Sequence, residues 1–319
     1  MIVRWGLGEV DPVLAELGVS RPFLLATDRH TDVPRHEGRW NDLPTDDIAA
    51  VVEALGAADG LVALGGGSTI DAAKAVSAES RLPLLSIPTT YSGAEWTGFF
   101  GVRDPERRQR GGGAGAHVAA IVYEPELTLD LPRAETVGTA LNALAHCAEA
   151  LYVEGHNDSA DAQALEGARL IGTWLPRVVA APRELEPRTE LLRGACHAGA
   201  ALAGSMLAIG HAIAQALGGR YGLPHGAMNA LSLPPALRFN EPVAADAVRR
   251  LAEALGTDDA PSRVEELAAL GEFGRLRDFG VPEQELAEVA AAVVERPGAK
   301  ANPRHATPAE VEELLRSIW

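Results

Sequence analysis

Three histidines and two side-chain amides stand at spacings that let them act together. Asn142 and His146 are four residues apart in the Ala/Leu-rich run 140–150, so on a helix they lie one above the other on a single face. His211 and Gln215 repeat that spacing in a second Ala-rich run, and His225 follows Pro224 at the start of a third. Imidazoles so placed can bind a divalent transition metal. They can equally polarise and protonate an oxyanion. Any one of them alone reads as a hydrogen-bonded structural histidine. Two polar pairs in otherwise apolar helices favour a site, because buried polar groups need partners.

A second chemical signal lies upstream. The apolar run Gly60–Leu64 leads into Gly65-Gly-Gly-Ser-Thr69, and a helical pattern follows from Ile70. Glycines allow close backbone approach, and a following helix offers unpaired N–H groups to an anion. A tight turn capped by Ser68 is the plainer alternative, but three glycines exceed what a turn requires. The pattern is neither Walker A nor G-x-G-x-x-G. After the run 82–87, Thr89, Thr90 and Ser92 bring hydroxyls to the same edge if the sheet is parallel. Asp28 ends the run 22–27, where a carboxylate can bond an adenosine ribose or simply occupy a turn. Arg107, Arg108 and Arg110 lie in a Gly-rich loop, either a solvated hairpin or a lid that sets an arginine on an anionic group.

The elements that must hold these residues fall into two regimes. Up to about residue 131, short apolar runs alternate with helical patterns. These include a helix over 45–55 capped by Thr45, a loop over 29–44, and a strand pair formed by 99–102 and 119–123. Beyond Arg133 the pattern is helical, over 135–152, 158–179, 188–217, 226–239, 244–255, 261–270, 282–295 and 308–319. Two domains are expected, 1–131 and 132–319, in a chain of 319 residues. The formal net charge of −16 argues against nucleic-acid or anionic-membrane binding. Neither a signal peptide nor a spanning segment is read, so a cytoplasmic protein is expected. Cys147 and Cys196 read as small buried hydrophobes rather than a disulfide.

These residues together resemble the iron-containing alcohol dehydrogenase superfamily, and within it the maleylacetate reductases. The likeness runs through Trp5–Gly8, Gly65–Asp71, Ile87–Glu95, Val122–Leu127, Leu141–His146, Leu217–Gly219, Leu223–His225, Asn302–Arg304 and the terminal Leu-Leu-x-x-x-Trp. The resemblance implies an α/β dinucleotide-binding domain with a Rossmann-like parallel sheet, followed by an all-α domain, the fold also of dehydroquinate synthase. It implies a cytoplasmic homodimer with NAD in the cleft. Gly65, Gly66, Gly67, Ser68 and Asp71 would hold the pyrophosphate side, and Thr89, Thr90 and Ser92 the nicotinamide side. Asp28 would bind the ribose and favour NADH over NADPH. Tyr91, Arg107 and Arg108 would face the substrate.

In metal-dependent relatives an Asp joins three His as ligands. Here His146, His211 and His225 match the three, and Asn142 replaces the Asp. A neutral amide is a poorer ligand for a hard cation, so no tightly held metal is expected. Gln215 stands where the family usually has a His, and Gln exchanges no proton near neutral pH. The stretch 29–44 is also shorter than in the family. The expected activity is an NAD(P)H-dependent reduction of a small anionic keto or enone substrate. The alternatives are non-redox acid–base chemistry (lyase, cyclase or isomerase) and a metal-dependent alcohol dehydrogenase.

Overall fold

The structure is a computed structural model that describes residues 1–30, 33–104 and 109–319. Its first half is a six-stranded, all-parallel sheet in the order β1-β8-β5-β4-β2-β3. The strands are β1 (Ile2–Trp5), β2 (Pro22–Leu25), β3 (Gly38–Trp40), β4 (Gly60–Gly65), β5 (Leu84–Pro88) and β8 (Val118–Tyr123). The helices α1 (Val10–Glu16), α2 (Ile48–Ala54) and α3 (Gly67–Ser80) connect them. The inner strands β4 and β5 are buried at every residue, as a sheet covered on both faces demands. Leu24, Val62, Leu64 and Leu85 pack on one side of the sheet, and Phe23, Leu61, Ile70 and Leu84 on the other.

A separate antiparallel hairpin, β6 (Phe100–Asp104) with β7 (Gln109–Gly113), stands beside the sheet. This corrects the expected strand pair. The run near 100 pairs with β7, whereas β8 enters the main sheet between β1 and β5. The stretch 29–44 also contains an edge strand, β3, three residues long and too short for a sequence period to register. The cap of α2 is Asp47, whose carboxylate accepts from Ala50 N at 3.0 Å, in place of Thr45.

The second half is helical: α4 (Arg133–Ala150), α5 (Asp158–Ala180), α6 (Leu185–Ala203), α7 (Ile209–Tyr221), α8 (His225–Ala254), α9 (Ala260–Ala269), α10 (Leu286–Val294), α11 (Pro297–Lys300) and α12 (Pro308–Ser317). The single helix expected over 188–217 is two, α6 and α7, broken at residues 204–208. The two helices expected over 226–239 and 244–255 are the two parts of α8, divided by a kink at Ala244 (φ −131, ψ 35) just after Pro242. α4 is buried along almost its whole length, so its polar residues have to be satisfied inside the protein. Where α4 meets α8, a Cβ on Gly226 would lie 2.5 Å from the carbonyl carbon of Gly138. Only glycine permits that approach, and it brings His225 toward Asn142. Among the described residues, no helix is long and apolar enough to cross a membrane.

Candidate active site

Parallel strands put their carboxyl ends on one edge, and here β4 and β5 end side by side. Gly65 pairs with Pro88, and Thr89 N donates to Gly65 O at 3.0 Å. α3 starts at the third glycine, earlier than expected. Its N-cap, Gly66, has no side-chain cap, so Ser68 lies in the first turn and does not cap it. The first intrahelical bond is Ile70 N to Gly66 O at 3.1 Å. The amides of Gly67, Ser68 and Thr69 thus have no helical acceptor and sit at the positive end of a 14-residue helix. A Cβ at Gly66 would lie 3.0 Å from Thr90 Cγ2, and one at Gly67 would lie 3.2 Å from Ser92 Oγ. The cradle is therefore shaped by missing side chains, and it fits a pyrophosphate bound through backbone N–H groups.

This edge opens into a cavity of about 1640 Å³, larger than the roughly 300–1000 Å³ of a drug-sized site. Gly65, Gly66, Gly67, Ser68, Asp71, Thr89, Thr90 and Ser92 line it, and so do Asn142, His146, His211, Gln215 and His225. Gly112 and Gly113 of β7 line it as well, so the hairpin borders the opening. The two groups of residues touch: Asn142 Nδ2 donates to Ser92 O at 2.7 Å. Between them Gly93, with φ +74, lies so close that a Cβ would sit 3.3 Å from His146 Nδ1.

The histidines converge. The His146 and His211 rings stack with centroids 4.6 Å apart and planes 12° apart, and His225 tilts against His211 at 5.9 Å. His211 Nε2 is 3.3 Å from Asn142 Oδ1, which also accepts from Asn229 Nδ2 at 2.7 Å. Asn229 Nδ2 is in turn 3.1 Å from His225 Nε2. Burial, with His211 and His225 as neighbours, holds the pKa of His146 well below the ordinary imidazole value. Among the described residues, His146 Nδ1 has no hydrogen-bond partner, and it is buried from solvent.

Two members of this network escaped the sequence reading. Glu149, fully buried on α4, accepts from Ala208 N (2.6 Å), His211 N (3.0 Å) and His211 Nδ1 (2.7 Å). It caps α7, whose own N-cap residue supplies no side-chain bond, and it fixes the His211 ring. Asn229 stands four residues after His225, the same spacing that marked Asn142 and His146. Glu149 lies three residues after His146, on the same face, so the helical rule could have found both.

Other expected residues fall elsewhere. Tyr91 is fully buried and does not face the cavity; its hydroxyl accepts from Arg188 Nη1 at 3.2 Å, a packing role that corrects the substrate assignment. Asp28 is exposed and absent from the cavity wall. Its carboxylate accepts from Asn41 Nδ2 at 2.9 Å, and its neighbours Thr27, Arg29 and His30 line the cavity instead. Asp71 pairs with Lys74 Nζ at 2.8 Å and accepts from Gly101 N at 3.2 Å, bracing the cradle from behind. Arg107 and Arg108 lie outside the described residues. The two cysteines are free; Cys147 is buried, Cys196 is half-buried, and burial pushes the Cys196 thiol up to about 11.

A divalent metal here would have to be held by the ring nitrogens of the three histidines. Among the described residues, no three His, Cys, Asp or Glu side chains are disposed to hold one. An amide lies against one ring nitrogen of His211 and one of His225, and His146 and His211 stack face to face.

Comparison with known proteins agrees with this architecture. The family model described as iron-containing alcohol dehydrogenase matches residues 8–122, and that of the C-terminal part of the Fe-containing alcohol dehydrogenase family matches 136–319. A maleylacetate reductase from Burkholderia cepacia is 40% identical over 82% of this chain and 74% of its own. One from Pseudomonas knackmussii is 33% identical over 98% and 93%. The crystal structure of maleylacetate reductase from Rhizobium sp. superposes with a TM-score of 0.90 at 30% identity, covering 100% of this chain and 95% of that one.

Proposed function

The chain belongs to the iron-containing alcohol dehydrogenase family and is an NAD(P)-dependent oxidoreductase, and on that premise we propose that it reduces a small anionic keto or enone acid of the maleylacetate type. We place the dinucleotide part at 1–131 and the catalytic part at 132–319, in a cytoplasmic homodimer. The observation that carries this reading is a single cavity walled at one end by the glycine cradle and at the other by the histidines.

A bound nicotinamide supplies the hydride. Gly65–Ser68 would hold its pyrophosphate through backbone amides, and Thr89, Thr90 and Ser92 would lie on the nicotinamide side. His146 and His225 face the substrate oxygen, where negative charge develops as hydride adds to the conjugated carbon. Donors fixed before that charge appears stabilise it most. Glu149 positions His211, and Asn142 locks the histidine helix to the cradle through Ser92. Gln215 exchanges no proton, so proton return falls to the imidazoles. We further propose that the reaction needs no tightly bound iron, on the strength of the amide-engaged histidines. Arg29, rather than Asp28, lines the cavity beyond β2, and NADH against NADPH is compared directly to establish the preferred cofactor.

The test is loss of nicotinamide absorbance with maleylacetate, run with NADH and NADPH and against simple aldehydes. Turnover of maleylacetate well above that of aldehydes is expected. Failure to turn over any substrate while NADH binds would remove the reductase reading and favour non-redox acid–base chemistry.

A further inference from the structure

The histidines meet the cradle on its β5 side, where Asn142 bonds Ser92. A dinucleotide with its nicotinamide there and its pyrophosphate on Gly65–Ser68 has to send its adenosine the other way. That way lies β2, the neighbour of β4 on the side away from β5. Leu25 of β2 pairs with Ala63 of β4, so the residues that follow β2 emerge level with the cradle. Thr27, Arg29 and His30 line the cavity there, with Leu43 and Pro44 as an apolar wall.

The turn over 26–30 is held from behind. Arg39 of β3 donates from Nη2 to the carbonyls of Thr27 (2.8 Å) and His30 (3.3 Å), and from Nε to Ala26 O at 3.3 Å. The same guanidinium lies 3.6 Å from Asp28 Oδ1, which also accepts from Asn41 Nδ2. The carboxylate that would repel a 2′-phosphate is therefore engaged beside β3, off the cavity wall. Arg29 stands on that wall, exposed at its rim, with Nε donating to Thr27 Oγ1 at 3.1 Å. His30 is half-buried next to it. Burial, and after it the charges of Arg29 and Arg39, hold the pKa of His30 below the ordinary imidazole value. The arginines thus set the field at this corner. Past the strand beside a dinucleotide cradle, a carboxylate suits a free ribose 2′-hydroxyl, and an arginine suits a 2′-phosphate. A planar fork of N–H groups matches phosphate oxygens in two places at once.

We propose that the enzyme binds NADPH more tightly than NADH, with Arg29 on the 2′-phosphate and His30 beside it. The proposal rests on the dinucleotide-dependent reductase reading, but its test does not need turnover. The probes are adenosine 2′,5′-bisphosphate and 5′-AMP, which differ only in the 2′-phosphate. Each is titrated calorimetrically into wild type, Arg29→Gln, Arg29→Lys, His30→Gln and Asp28→Asn.

Wild type should bind the bisphosphate about tenfold or more tightly than 5′-AMP, the gain expected for a charged hydrogen-bonded pair. Arg29→Gln should lose most of that difference, Arg29→Lys should keep part of it, and His30→Gln should lose about threefold. Binding of 5′-AMP should be the same in all of them, which also reports that each variant is folded. Asp28→Asn should bind 5′-AMP like wild type, because that carboxylate is turned to Arg39 and Asn41. Equal affinities for the two nucleotides in wild type, or a preference that survives in Arg29→Gln, overturns the proposal. Wild type that binds neither nucleotide removes the dinucleotide reading and the proposal together. An Arg29-dependent preference without turnover of maleylacetate supports the phosphate site and removes only the reductase reading.

Discussion

The two ends of the cavity are built on opposite principles. The cradle at Gly65–Ser68 is made of backbone, and its shape comes from side chains that are absent. The histidine end is made of side chains drawn from α4, α7 and α8, each held by another: Asn142 by Ser92 and Asn229, His211 by Glu149, His225 by Asn229. A backbone site tolerates changes around it but no added volume within it. A side-chain network tolerates little loss, because each missing member leaves a buried partner unsatisfied.

The largest effect should come from breaking the network at Glu149. Glu149→Ala leaves three buried donors without an acceptor, two of them on His211. A loss of about 3–5 kcal/mol is expected, as for removal of one partner of a buried pair, with activity falling in parallel. Urea unfolding and turnover of the same preparation measure both. Glu149→Gln, which retains one acceptor oxygen, should lose less. If the alanine variant is as stable as wild type, Glu149 does not hold α7.

The cradle should respond in the opposite sense. Gly66→Ala adds a Cβ 3.0 Å from Thr90 Cγ2. NADH affinity should fall about tenfold, ~1.4 kcal/mol, with little change in melting temperature. Unchanged NADH binding would place the pyrophosphate elsewhere.

The smallest effect concerns a second buried carboxylate, which sharpens the contrast. Among the described residues Glu95 has one good donor, Tyr123 OH at 2.7 Å, and its Oε2 has no hydrogen-bond partner. Burial pushes its pKa above the ordinary carboxylate value, outweighing Tyr123 and Lys74. A carboxyl whose folded pKa is raised contributes stability below its unfolded value and loses that contribution as pH rises through the folded value. Glu95→Gln should therefore gain on wild type as pH moves from mildly acid to mildly alkaline. Melting curves that stay parallel across that range would contradict this.

The same contrast explains what the sequence disclosed. The cradle was legible because local residues make it: strand, glycines and helix are contiguous, and Gly65–Ser68 line the cavity. The histidines were legible through helical spacing, since i and i+4 share a face in any helix. Glu149 belonged to the same pattern but reads as an ordinary acid until α7 is seen to lack a cap. Tyr91 and Asp28 misled for a geometric reason. Each adjoins the cavity in sequence, but its side chain turns to Arg188 or Asn41. The break between α6 and α7 was hidden because Ala- and Gly-rich sequence continues through it. Arg29 and His30 follow Asp28 in a stretch without periodicity, so only the fold shows which of the three line the cavity.

The central claim is that imidazoles tied to amides, with no tightly held iron, assist reduction at the end of a backbone-bound dinucleotide. It is tested most directly by a single-turnover oxidation of bound NADH by maleylacetate, using chelator-treated protein of measured iron and zinc content. The account predicts full oxidation of the bound NADH at a rate unchanged by added iron or zinc. Oxidation that occurs only in proportion to the metal returned would contradict it.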